Sequence, residues 1–513
     1  MKQLRQINDY VVFHTQLESC ITFIQSIHNE KILFISSIYD ASQILPHIAM
    51  LPQIDSIFVF NWEKLDHEHL LVEHSKLIGI YDEFDLLSLS IQEQIDFLDE
   101  HLETFSFFDE DEYLTKDLSK QTADLLWFQF YHDVLFELTH NEETKQEMID
   151  ACRSYYNDNI KELEMIRKFE NEYQSKEALR WYLKKSFLYK IIKKALKIKD
   201  FNQLYIFRYF MKDLRETFIR EHQKMIQSDK EILLIYRGMK LTNDQIKKFK
   251  ENEGKLVSIN GFLRTNIHRS TAFNQGIKSS KQTHLISVLL EIQCDLKQLN
   301  NNIIAIDSVD FSEFSSEEQQ EIFFDSNVTF RLKSMRMEED MWFIEMIASN
   351  QGEIIKEKYI KDSHRQMEGL SMRILFGRLM CDMGQWNQSQ QFFEHLLNNS
   401  NSNNEDIGKI EYSLGEVLQW KGEWSEARRY YDLAYERMMN VKPIRLKDSA
   451  DILFNIGEIL YLEGKYEEAH DYYERVLAMR KENSSCTKVN RPCLPNHRRS
   501  TNSFNHVLDG IVL

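Results

Sequence analysis

Six glycines near the C-terminal end of the chain impose the tightest constraint on its fold. Gly377 and Gly384, Gly415 and Gly422, and Gly457 and Gly464 form three pairs, each with the same seven-residue spacing. Fifteen residues after each first glycine comes an aromatic doublet: Phe392-Phe393, Tyr430-Tyr431 and Tyr472-Tyr473. Trp386, Trp424 and Tyr466 stand two residues after the second glycine, and Ser389, Ala427 and Ala469 three residues further on. Independent helices have no reason to reproduce these offsets three times. Small residues let two helices approach closely, and aromatics are expected to fill the gap between repeats. The pattern therefore predicts stacked helix pairs.

Successive units begin 38 and 42 residues apart, against the basic period of about 34. The pattern resembles tetratricopeptide repeats, and its longer period is similar to that of kinesin light chains. The resemblance implies an α-helical solenoid over residues 365–483, with a groove that holds a peptide or protein partner. Residues 484–513 break the pattern. They hold Cys486, Cys493, His497 and two of the five prolines. That spacing matches no standard zinc site, so a disordered tail and no metal are expected.

Residues 1–118 alternate short β-rich runs with helical stretches. Ile32-Leu-Phe-Ile-Ser36, Ser56-Ile-Phe-Val-Phe60 and Leu77-Ile-Gly-Ile-Tyr81 read as buried parallel strands of a small α/β layer domain. Gly79 is the only glycine before Gly238. No glycine-rich turn can bring backbone amides against a phosphate, so a docking or scaffold role is expected there. From about 122 to 227 the chain has neither proline nor glycine. Its apolar residues recur at helical spacing, as in Ala178-Leu-Arg-Trp181-Tyr182 and Phe187-Leu-Tyr.

The middle of the chain carries three landmarks, each an apolar run of strand length with a polar group at a fixed place. They are Leu233-Leu-Ile-Tyr-Arg237-Gly238, Ser258-Ile-Asn-Gly-Phe-Leu-Arg264-Thr265-Asn266, and Gln319-Gln-Glu321-Ile-Phe-Phe. In this order they resemble the arginine, serine and glutamate signatures of the arginine-type mono-ADP-ribosyltransferases. The resemblance covers roughly the middle half of the chain, with the helices from 119 onward. It implies an α+β domain over 119–355, a helical lobe followed by a mixed β-sandwich core. It also implies NAD, or its phosphorylated form NADP, as a substrate whose ADP-ribose passes to an acceptor protein.

Breaking the nicotinamide–ribose bond needs a grip on the pyrophosphate and a negative group beside positive charge at the anomeric carbon. A guanidinium is always charged and forks onto anionic oxygens, which suits the first task. By the resemblance Arg237 is that group, and Gly238 lets the backbone approach the cofactor. A carboxylate suits the second, and by the resemblance Glu321 is the catalytic one. Thr265 and Arg264 fall where the family binds cofactor, and Gln319 where it receives the acceptor. Three departures stand out. Gln319 replaces a glutamate and cannot pair with a charged acceptor or act as a base. Leu183 replaces a threonine. Arg264 and Asn266 flank Thr265 where the family has serines. Arg264 is expected either to pair with Glu321 or to add a phosphate contact, and a catalytically degenerate scaffold is the alternative reading.

The net charge of −18 argues against a general nucleic-acid or membrane-surface binder. The longest apolar runs fall short of the ~18 residues a membrane helix needs. The opening residues lack the apolar core of a signal peptide. Six scattered cysteines form no disulfide framework, so a reduced, cytoplasmic protein is expected.

Overall fold

The computed structural model describes residue 4 and residues 11–486, apart from 28–30, 65–68, 75, 102–104, 109–119, 158, 185–186, 227–231, 278–284, 296–304, 308–320, 367–368, 399–403 and 442–443. The tail beyond Cys486 lies outside the described residues, and the last helix, Tyr466–Cys486, runs three residues into the segment read as tail.

Strands β1 (Ile32–Ser37), β2 (Ile54–Phe60) and β3 (Leu77–Tyr81) form a parallel sheet in that order. Ser37 starts the crossover helix Ile38–Ile48, its hydroxyl accepting from the Asp40 amide at 3.2 Å. Ala41, Leu45 and Ile48 of that helix pack on Ile54, Ile57 and Val59. The other face meets Leu87 and Ile91 of helix Phe84–His101 through Phe58.

The next strand corrects the expected boundary at 118. Strand β4 (Phe105–Phe108) leaves the first sheet and pairs antiparallel with β6 (Leu256–Ile259), a strand some 150 residues later. Phe105 and Phe107 both meet the ring of Phe249 at 4.9 Å, and this contact fixes the edge. The second sheet therefore begins before the helical lobe.

That sheet continues with β5 (Ile232–Thr242), β7 (Leu263–Asn266), β8 (Leu285–Asp295), β9 (Ala305–Asp307), β10 (Glu321–Phe324), β11 (Thr329–Glu338) and β12 (Met341–Ser349). Its order is β4-β6-β11-β12-β8-β5-β7-β10-β9. The β8–β12 pair is parallel and its other pairs are antiparallel. Strands β5 and β7 share one residue pair, Tyr236 with Asn266. Apolar side chains from both sides of that junction, including Ile235, Ile292, Leu263, Ile322 and Phe324, share one core. This is the expected mixed β-sandwich.

The lobe runs from helix Lys120–Glu137 to helix Arg208–Ile226. Its aromatic stripes are core: Trp127, Phe169 and Phe210 are fully buried. Three helix pairs follow: Met372–Asp382 with Trp386–Asn398, Asn404–Lys421 with Trp424–Asn440, and Leu446–Leu462 with Tyr466–Cys486. The glycine pairs divide two tasks. Gly384, Gly422 and Gly464 have φ of +76°, +79° and +78° and end the first helix of each pair. At Gly377, Gly415 and Gly457 an added Cβ would meet the rings of Phe393, Tyr431 and Tyr473 at 2.4, 2.6 and 2.8 Å. The second ring of each doublet thus fills the space inside its own pair, where the sequence had placed it between repeats.

The first pair also closes the lobe. Phe201 packs on Phe376 and Phe392, with centroids at 5.1 and 4.9 Å, and its amide donates to Gln388 Oε1 at 3.1 Å. Trp127 lies 5.7 Å from Phe376, and Tyr205 stacks on His395. The boundary at 365 divides sequence patterns but not cores. Uncovering a large aromatic side chain costs about 1.5–3 kcal/mol. A chain ending at 366 is therefore expected to melt lower and precipitate more than one ending at 403, as measured by soluble yield and Tm. Equal Tm for the two would show that the first pair does not cover the lobe.

Candidate functional site

The site forms where β10 lies against β7. In this antiparallel ladder Glu321 faces Asn266, Ile322 faces Thr265, Phe323 faces Arg264 and Phe324 faces Leu263. Alternation puts Ile322, Phe324, Leu263 and Thr265 on the core face. Glu321, Phe323, Arg264 and Asn266 take the other. Arg264 reaches diagonally and donates from Nε to Glu321 Oε2 at 2.7 Å, with Nη2 also 2.7 Å from that oxygen. Its guanidinium lies 5.8 Å from the Phe323 ring centroid. Of the two readings open for Arg264, pairing with Glu321 is the one observed. The Glu321 side chain is 13% exposed and that of Arg264 42%, so the pair sits at the rim of the sheet with the guanidinium its more exposed member.

Thr265 is placed otherwise than expected. Buried to 2% exposure, it donates its hydroxyl to the Ile322 carbonyl at 2.8 Å. It ties the two strands together on the core side, away from Glu321. Gly238 lies under a helix. A Cβ there would stand 1.7 Å from the Ala272 carbonyl oxygen, so this glycine admits helix Arg269–Ile277 onto β5. Arg237 is half-buried on β5 opposite Leu290, one residue beyond the Tyr236–Asn266 junction. Leu183 ends helix Ala178–Leu183 and packs on the lobe core beside Tyr182, whose ring meets Phe262 at 5.2 Å. Gln319 lies outside the described residues.

A rank of residues in register was not anticipated. Glu321 pairs with Asn266, Asn266 with Tyr236, Tyr236 with Glu291 and Glu291 with Glu345. With strands ~4.8 Å apart, Tyr236 lies about 10 Å from Glu321. Asn266 Oδ1 accepts from the His268 amide at 2.7 Å, shaping the turn into helix Arg269–Ile277. Arg269 and Arg336 hold Glu291 at 3.2 and 2.7 Å. Burial, then the Glu291 carboxylate, pushes the Tyr236 phenol up, with Arg269 opposing. The hydrogen bond to Glu291, followed by that to Glu338, holds Arg336 above its ordinary value. Asn266 was legible as the residue two places after Arg264. Glu291 and Glu345 were not, because sheet order is not written in strand spacing.

With this geometry in place, likeness to known proteins divides the chain. The tetratricopeptide repeat family matches residues 406–482, which span the second and third helix pairs. These two pairs are similar to tetratricopeptide repeats, and the first pair shares their glycine–aromatic contact. No curated protein matches the chain. Similar solved structures include the Vis toxin, an ADP-ribosyltransferase from Vibrio splendidus, at 14% identity over 42% of this chain and 88% of that one, TM-score 0.22. The Clostridium limosum C3 exoenzyme is similar at 14% identity over 39% and 95%, TM-score 0.26. An ADP-ribosyltransferase from Clostridium botulinum is similar at 14% identity over 41% and 97%, TM-score 0.25. These superpositions are too loose to match residues one to one, so the site rests on its own geometry.

The two site-strand residues separate by experiment. Thr265→Val removes a buried hydrogen bond and leaves the Ile322 carbonyl without it, a loss of about 1–3 kcal/mol. Arg264→Ser breaks a rim ion pair, a change of about 0–1 kcal/mol. Urea denaturation midpoints should therefore fall clearly for the first variant and little for the second. The reverse order would move Thr265 onto the face that carries Glu321.

Proposed function

We propose that the chain transfers ADP-ribose from NAD to a protein side chain carrying a guanidinium, arginine being the acceptor class. The observation that carries this reading is the seat of Arg264 on Glu321, a carboxylate at the rim with a guanidinium held against one oxygen. An acceptor arginine would present the same chemistry. NAD supplies an activated ribose from which nicotinamide departs. The residues present fit such a substrate. Glu321 offers a charged acceptor for a ribose hydroxyl and a negative group beside developing positive charge. Arg237, on β5 next to the single Tyr236–Asn266 pair that joins β5 to β7, is proposed as the cation for the pyrophosphate. Gln319 is proposed to meet the acceptor as a neutral hydrogen-bonding group. The repeats are proposed to recruit protein partners, and the reducing cytoplasm suits the four buried free cysteines among the described residues.

Arg264 also supports a second reading, because the contact that resembles a bound acceptor occupies the carboxylate. A chain in which it never leaves would be a scaffold that keeps the fold without the activity. Nicotinamide release from NAD decides between them. The transferase reading expects release by the parent and a loss of a hundredfold or more in Glu321→Gln, about 2.7–4 kcal/mol for removing one preorganised electrostatic group. No release by parent or variant would favour the scaffold.

Arg264→Ser sharpens this. The rim ion pair that competes for Glu321 contributes about 0–1 kcal/mol. Freeing Glu321 from it should raise nicotinamide release by up to about fivefold. A fall in rate together with weaker NAD binding would instead make Arg264 part of the grip on NAD.

A further inference from the structure

Strand β10 is short, and the turn that follows it, Asp325-Ser326-Asn327, is sealed beneath the helical lobe. Asp325, Ser326 and Asn327 are 2%, 1% and 9% exposed. Arg215 from helix Arg208–Ile226 donates Nη1 to Asp325 Oδ2 in a close contact. His132 from helix Lys120–Glu137 meets Ser326 Oγ at 2.8 Å and Asp325 Oδ1 at 3.2 Å through Nε2. Gln129, one turn earlier on that helix, donates to the Asn327 carbonyl at 2.5 Å. The Ser326 amide donates to Asp325 Oδ1 at 2.6 Å. Burial, followed by the charges of Arg215 and Lys356, pushes the His132 imidazole well down, so it sits there neutral. Arg215 is therefore the charge that balances Asp325.

An ion pair this deep is an expensive way to hold a turn. Desolvating both charges consumes most of their attraction, and apolar residues of similar volume are often as stabilising. Its distinctive property is direction. A guanidinium and a carboxylate meet in one geometry, whereas apolar contacts tolerate sliding. The same helix controls the neighbouring strand: Phe218, one turn from Arg215, stacks on Phe262 at 5.3 Å, immediately before Leu263 and Arg264. One helix thus holds the end of the strand that carries Glu321 and the start of the strand that carries Arg264.

We propose that Arg215, with Asp325 and His132, is a positioning group that sets the register and height of β10 and so the place of Glu321 at the rim. Arg215 touches no reacting atom. It acts through the four-residue strand that starts at Glu321 and ends just before Asp325, and its catalytic consequence rests on the transferase reading above.

The test uses the full chain, with Arg215→Met, the charge-balanced double change Arg215→Met/Asp325→Asn, and Arg215→Lys as the conservative control. The double change leaves no unpaired buried charge and keeps the comparison open if Arg215→Met fails to fold. The first measurement is amide hydrogen exchange over residues 321–324, read against the repeat helices of the same sample. Tenfold or faster exchange confined to β10 is expected in the double variant, with Arg215→Lys between it and the parent. Unchanged exchange in β10, or a rise shared equally by the repeats, overturns the proposal.

The second measurement is nicotinamide release. The double variant should lose ten- to a hundredfold in kcat with little change in KM for NAD. In a Glu321→Gln background it should cause no further loss, because both changes then act through one carboxylate. Full additivity with Glu321→Gln overturns the positioning role. If the parent releases no nicotinamide, the transferase reading fails, and exchange in β10 still decides whether Arg215 holds the strand.

Discussion

Everything at the site depends on one register, that of β10 against β7. Strand side chains alternate with a period of two, so a slip of one residue would turn Glu321 into the core and bring Ile322 to the rim. Three kinds of interaction guard against that slip. On the core face, Ile322 and Phe324 are buried among Leu263, Val328 and Phe330. Between the strands, the Thr265 hydroxyl is committed to the Ile322 carbonyl. At the end of β10, the Asp325 turn is held by two lobe helices. The first is the least directional and the last the most.

The lobe is thus the frame on which the sheet's working edge is mounted, and it is itself incomplete without the first helix pair of the repeats. Trp127 and Phe201 complete their packing on Phe376 and Phe392. A single apolar core runs from Phe108 through the lobe and into the repeats as far as Val476. Packed interiors are close to crystalline in density and do not absorb displacement locally. The repeat array and the site are therefore parts of one packed body, although their sequences show different periods.

Arg264 gives the site its individual character. A serine there would offer a hydroxyl, while the arginine places a charged fork on Glu321 and lies along Phe323. The neighbouring rank pairs its acids in the same manner, with Arg269 and Arg336 on Glu291 and with Arg336 also on Glu345. Carboxylates on this face are occupied by guanidinium groups.

Sequence alone determined what depends on local period and on short-range chemistry. The glycine and aromatic offsets specified three helix pairs, because both the helix-ending left-handed turn and the close approach beneath a ring need glycine at one place in each unit. The apolar runs at 32, 56 and 77 specified parallel strands, and a pairing of Arg264 with Glu321 was one of two readings the sequence left open. The tertiary structure decided what depends on which strand lies beside which. It carried β4 from before residue 118 into the second sheet and placed helix Arg269–Ile277 on Gly238. It turned Thr265 inward and brought residues 132, 215 and 325 into one buried cluster. Such pairings are settled by the burial of whole faces and by chain reversals far apart in sequence. No local spacing records them.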